Sequence, residues 1–395
     1  PSRPWKAKFR QALELGLRDA SEQLEANFGL GEALQSWGDA VLELSSSAPD
    51  EQQSAQFESE AKTKATLLFE QAVQAYAKVV EPDGHLRVDA AVNSGNTFLA
   101  ASDLVSEPAA KEGLLRQAVA AYYAALQQEE DALTLGNLAD AYVKLGEAAC
   151  GAGNGVEGGS MFSQAMEKYQ QACSLCDSAN GDDLPGLLYD WGVGFNTAAS
   201  HAQDGADAER LLAQAHAKLK DASSFDRGDV QPLNAIGDVF VALSERRAAA
   251  AGGLQAAAAL LDQALEEGYR PALHIRQTNA DALVGTGEVL SLKAKLLREA
   301  GNEEAASEMS REAANAYGSA LQTPEELGTF SERCDTRYNY ACALALSGQE
   351  LEAARELSSL LRARGPELLH DLEADQDMQS FHSQEWFGKL AQGGQ

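Results

Sequence analysis

Along this chain, apolar positions recur three and four apart over long stretches, the period of amphipathic helices rather than of strands. A small residue with apolar and polar neighbours in a constant order punctuates these stretches. It is Gly38 in "SWGDAVL", Gly95 in "NSGNTFL", Ala139 in "NLADAYV", Gly192 in "DWGVGFN", Gly237 in "AIGDVFV", Gly287 in "GTGEVLS" and Ala341 in "NYACALA". Three positions on stands Val41, Phe98, Tyr142, Phe195, Phe240, Leu290 or Leu344, on the same helical face. The small side chain lets a second helix come close. A second pattern follows each: "FEQAVQAY" (69–76), "LRQAVAAY" (115–122), "FSQAMEKY" (162–169), "LAQAHAKL" (212–219), "LDQALEEG" (261–268), "SREAANAY" (310–317) and "AARELSSL" (353–360). Its Ala usually has an aromatic residue or Leu four positions later, an apolar stripe on one face. Two alternating helix types, repeated, predict stacked helical hairpins.

The arrangement resembles the tetratricopeptide repeat (TPR), built on an apolar–small pair and a large residue, then Ala and another large residue. Cys334 to Pro366 comes closest: Tyr340-Ala341 is the pair, Leu344 the large residue, Ala353 and Leu357 the second helix, and Pro366 the stop. In the other six repeats the small residue stands 23 to 34 positions before the second-helix Ala, against 12 in the last. The excess is assigned to loops, "SSSAPD" (45–50) and "GAGNGVEGG" (151–159), and to longer helices such as "VLSLKAKLLREAG" (289–301). The resemblance implies an all-α, right-handed α-solenoid of about seven hairpins over residues 31–366. A capping helix is expected within 1–30, where Phe9, Leu13 and Leu17 fall at helical spacing. A C-terminal cap over 367–395 closes the last hairpin with Phe381, Trp386 and Phe387. Each hairpin buries its apolar face only against its neighbours, so one cooperative array is expected.

Composition supports helix: Ala, Leu, Glu and Gln dominate, and Ile occurs only at Ile236 and Ile275. The formal charge of −29 disfavours nucleic acid and anionic membranes, whose phosphates call for Lys and Arg, and favours a basic partner. No apolar run reaches the ~18 residues of a membrane span. Five cysteines, scattered and odd in number, point to an intracellular, reducing compartment. The chain begins at Pro1, as a processed or partial chain does. With an Ala-rich, Ile-poor composition and the TPR-like assembly factors of plastids, this suggests a chloroplast, the alternative being the cytoplasm.

Candidate chemistry is sparse. "CSLC" (173–176) has half a zinc or redox spacing, but a second pair and a βαβ context are missing, so both cysteines are expected to pack. The six His show no metal-ligand helical spacing, and "GAGNGVEGG" lacks the Lys of a phosphate loop. No catalytic residue, cofactor or metal is assigned, and the chain is read as a non-enzyme.

The family lines its concave groove with the first helix of each hairpin. Carried over position by position, the resemblance places there Asp39, Asp89, Asn96, Asp140, Asn196, Asn234, Asp238, Asp281, Glu288 and Asp335, and no Lys or Arg. Asn96 and Asn137 match the two Asn of the family's chaperone clamp, but Val92, Gly186 and Asp190 replace its basic residues. The expected function is a protein-binding scaffold, adaptor or assembly factor that holds a basic or extended partner segment. The alternative is a structural or regulatory subunit of a large complex, working through its convex face and loops.

Overall fold

The computed structural model describes residues 20–46, 51–178, 183–250, 252–323, 326–365 and 367–388. Among them the chain is helical throughout, with one isolated antiparallel bridge, Val80 to Leu86, in a connection. The helices follow one another as hairpins: α1 (Ala20–Ser46) with α2 (Glu51–Tyr76), α3 (Val88–Asp103) with α4 (Pro108–Leu126), and α5 (Ala132–Gly151) with α6 (Gly155–Ser178). Next are α7 (Leu184–Ser200) with α8 (Gly205–Phe225), and α9 (Gln231–Ala248) with α10 (Leu254–Gln263). A π-helical turn (Ala264–Tyr269) carries α10 into α11 (Arg270–Ile275). The last hairpins are α12 (Ala280–Glu299) with α13 (Glu303–Ala320) and α14 (Phe330–Leu346) with α15 (Glu350–Arg364). First helices also touch first helices, α3 on α5, α5 on α7 and α9 on α12, which is the stacking of an α-solenoid.

Helix ends follow local chemistry. The Asp131 carboxylate accepts from the Thr134 backbone N–H at 2.7 Å, and Thr329 with Glu332 forms a capping box at the start of α14. Beyond α12 and α14, Gly301 (φ 78°) and Gly348 (φ 85°) take the left-handed conformation that ends a helix.

Contacts divide the chain into two compact units, residues 1–44 with 60–222 and residues 45–59 with 223–395, where the sequence predicts one array. The first unit is packed around Leu115, Tyr122, Leu138, Phe162 and Tyr169. In the second, Leu357, Leu360 and Leu361 pack with Leu368 and Leu372 of α16 (Glu367–Ala374), and Phe381 and Phe387 complete the cluster. Phe381 lies 5.8 Å from Trp386, ring to ring.

Two local expectations differ. Most of the capping helix expected within 1–30 lies outside the described residues, and α1 runs from Ala20 through Gly31 without a break. The glycine-rich 151–159 is largely helix, because α5 extends to Gly151 and α6 begins at Gly155. There Gly158 lies against the Cys150 side chain and the Gly146 carbonyl, so glycine serves close packing rather than a loose connection. Cys173 and Cys176 are buried in α6, as expected of packing residues.

Candidate functional site

In several hairpins the small residue of the first helix and the large residue closing the second-helix pattern form one device. Tyr122 lies over Gly95, Tyr317 over Gly287, and Leu219 over Gly192; a Cβ on Gly287 would stand 2.7 Å from the Tyr317 ring. The ring crosses the first helix where only a small residue leaves room. A buried phenol needs a partner, and its hydroxyl finds one on the far side of that helix. Tyr122 Oη donates to Asn96 Oδ1 at 2.8 Å, Tyr169 Oη to Asp140 Oδ1, and Tyr269 Oη to Asp238 Oδ1 at 2.6 Å. Asn96, Asp140 and Asp238 each stand one position after the small residue.

Two hairpins adjust the pattern. In the first, Tyr76 lies over Gly31 rather than Gly38 and donates to Gln35 Oε1 at 3.0 Å, while Phe69 meets Gly38. The working register is therefore two turns earlier than the sequence alignment places it. In the fifth, Gly268 occupies the expected aromatic position, but the π-helical turn inserts one residue and brings Tyr269 over Gly237.

In the second unit, four predicted groove residues converge. Asp238, Asp281, Glu288 and Asp335 line one pocket of about 470 Å³ together with Glu326 and Glu332, and among the described residues no Lys or Arg lines it. Burial pushes the Glu288 carboxyl up to about 7, with Asp238 and Glu245 adding repulsion. Asp238 and Asp281 are raised in the same way, burial first, although all three keep contact with water at the pocket's mouth. Counter-charges stand at the edges: Arg364 Nη1 donates to Asp335 Oδ1 at 3.2 Å, and Arg276 lowers Asp281.

The first unit presents amides beside acids. Asn137 Nδ2 donates to Asn96 Oδ1 at 3.1 Å, so the two clamp-like Asn are joined to each other. Both line a pocket of about 690 Å³ with Asp89, whose carboxylate is held by Arg87 Nε at 2.6 Å. Asp140 is raised by burial, and Asp190 is pushed up to about 7 by burial and by Asp140. Asn196 is half-buried on α7, and Asp39 is exposed on α1 with its carboxyl raised by burial. Asn234 is a correction. It is 7% exposed, and its Nδ2 donates at 2.9 Å to Asn279 Oδ1, which caps α12. Its amide joins two hairpins instead of facing a partner.

Sequence reasoning missed the tyrosine hydroxyls, Glu326 and Glu332, and named Asp190 only as a replacement at a clamp position. The tyrosines were visible as the recurring last letter of "VQAY", "VAAY", "MEKY" and "ANAY", but periodicity assigns a face and not a hydrogen bond. Glu326 lies in the connection before α14 and Glu332 in the first turn of α14, both outside the recurring repeat positions.

No protein-family model matches the chain, and no curated protein matches it. Among solved structures similar to it is a thermophilic TPR protein of Thermus thermophilus, 21% identical, covering 66% of this chain and 100% of that one with a TM-score of 0.37. The S. pombe nuclear import adaptor Nro1 is 11% identical, covering 77% of this chain and 94% of that one, TM-score 0.45. A human IFIT1 dimer with PPP-AAAA is 14% identical, covering 91% of this chain and 76% of that one, TM-score 0.34. By its own geometry, hairpin upon hairpin with Gly95, Gly192, Gly237 and Gly287 each beneath a large second-helix side chain, the fold is TPR-like, an all-α solenoid.

Proposed function

We propose that this chain is a non-catalytic scaffold or adaptor whose first-helix face holds a basic, extended segment of a protein partner, in a reducing compartment. The supporting observation is the pocket in the second unit, lined among the described residues by six acids and no cation. Burial and repulsion from Asp238 and Glu245 push the Glu288 carboxyl up to about 7, so this group is partly protonated near neutral pH. An entering Lys or Arg side chain relieves the repulsion and displaces protons. The amides of Asn96 and Asn137 offer main-chain partners to a segment crossing the first unit. A nucleic-acid ligand would need cations that the acidic pocket lacks.

The test uses a flexible, fluorescein-labelled peptide of Gly, Lys and Arg, with Asp281→Asn, Glu288→Gln and Asp335→Asn combined. Single exposed pairs contribute ~0–1 kcal/mol, so the three together should weaken binding about tenfold and flatten its salt dependence. Unchanged affinity and salt slope in the folded triple variant would remove the pocket from the interface.

A further inference from the structure

A larger open cavity of the first unit lies elsewhere, in the crevice between the second helices α6 and α8. It holds about 790 Å³, inside the ~300–1,000 Å³ range of ligand pockets. Its floor is α7, which contributes Trp191, Phe195 and Ala198, while α6 supplies Phe162 and Met166 and α8 supplies Leu211. The aromatic rings are ordered against one another: Trp191 and Phe195 stack at 5.8 Å and 20°, as do Phe162 and His201. Lys218 Nζ lies 3.8 Å from the Trp191 ring centroid.

The crevice is open because the α6 edge carries Gly159 and Ser163 there, and a Cβ on Gly159 would meet nothing within 4 Å. Val156, beside it, is 89% exposed. The rim carries Glu167, Asp204 and Asp207 against one cation among the described residues, Arg210, which already bonds Gln214 at 3.1 Å and approaches Asp207 at 3.5 Å. The rim is therefore acidic around an apolar floor.

We propose that this crevice docks an amphipathic helix of a protein partner, with large apolar side chains one turn apart on its buried face and Lys or Arg on its flanks. Shape carries the first half of this assignment. Two helices over a third leave a trough into which a fourth helix lays i, i+4 anchors, as in other helix-in-groove recognition. The volume takes more than one such anchor, and Met166 on the α6 wall adapts to either an aliphatic or an aromatic one. Charge carries the second half, since acidic flanks favour a basic helix and repel an acidic one. The surface belongs to the second-helix side of the hairpins and does not depend on the acidic pocket of the other unit.

The test is fluorescence anisotropy with a labelled peptide of about five helical turns carrying Leu and Trp at i, i+4 spacing and Lys on both flanks. A twin peptide has Glu for every Lys. The intact chain should bind the Lys peptide saturably, and the Glu twin at least about tenfold more weakly. Gly159→Phe fills open space on an exposed helical position and should abolish the binding while the fold remains. Asp281→Asn with Glu288→Gln should leave it unchanged. The proposal falls if the Lys peptide does not saturate, if the Glu twin binds equally, or if folded Gly159→Phe binds as before. A concentration-dependent dimer broken by Gly159→Phe would assign the crevice to a second copy of this chain and overturn it as well.

Discussion

At the scale of single residues, the stacking of hairpins depends on pairs such as Gly237 and Tyr269. A Cβ on Gly237 would stand 2.5 Å from the Tyr269 ring, and Gly268 already approaches the Gly237 backbone. Gly237→Leu therefore overpacks a crossing with no slack, and urea denaturation should show a loss of about 1–3 kcal/mol. Adding Tyr269→Ala should recover part of it by opening the space the leucine needs. Wild-type stability of the single variant would place the crossing elsewhere. Much of this was legible in the chain, because Gly95, Gly192, Gly237 and Gly287 each stand beneath a large side chain of the second helix. Gly38 was misplaced for a physical reason: seven residues are nearly two helical turns, so Gly31 and Gly38 share a face and either satisfies the pattern. The convergence of Asp238, Asp281, Glu288 and Asp335 was legible from their repeat positions. Their state was not, since the Tyr269 bond to Asp238, the Arg364 bond to Asp335 and the burial of Asn234 join residues distant in sequence.

At the scale of elements, the π-helical turn of the fifth hairpin stands out. In four other hairpins the tyrosine follows the Ala by four residues; here Tyr269 follows Ala264 by five. A π-turn accommodates one extra residue in a helix, so its removal restores the ordinary spacing and keeps Tyr269 over Gly237. Deleting the exposed Glu266 should thus be tolerated, with the melting temperature staying within a few degrees of wild type. Deleting Glu167 from the regular helix α6 rotates Tyr169 about 100° away from Asp140 and should destabilise strongly. Equal damage from both deletions would refute the insertion reading. No pattern search based on a period of 3.6 finds this turn, because its residues fall out of phase by construction.

At the scale of the whole molecule, the charge of −29 is distributed so that some carboxylates oppose the fold that holds them. Asp190 and Glu288 are both pushed up to about 7 in the folded chain, far above the ~4 of an unfolded carboxyl. Each binds its proton more tightly folded than unfolded. The stability this contributes is complete below about pH 4 and is lost as pH rises through about 7. The double variant Asp190→Asn, Glu288→Gln should therefore gain on wild type progressively from pH 5 to pH 8 in thermal melts. A constant difference across that range would show that neither group titrates there.

The bond from a buried tyrosine to a groove acceptor also limits how the surface can drift under mutation. Asp140 and Asp238 each receive a phenol from within the hairpin, so an apolar replacement there strands a hydroxyl inside the protein. Asn or Gln can take over the accepting role; Leu or Val cannot. If the first-helix face binds a partner as proposed, substitutions that would re-tune its recognition are filtered by folding before any partner is met. Positions without such a tether, Val193 among them, keep a wider alphabet. A lineage of such proteins would be expected to vary its preferences at those untethered steps, with the tethered ones restricted to residues that accept a hydrogen bond.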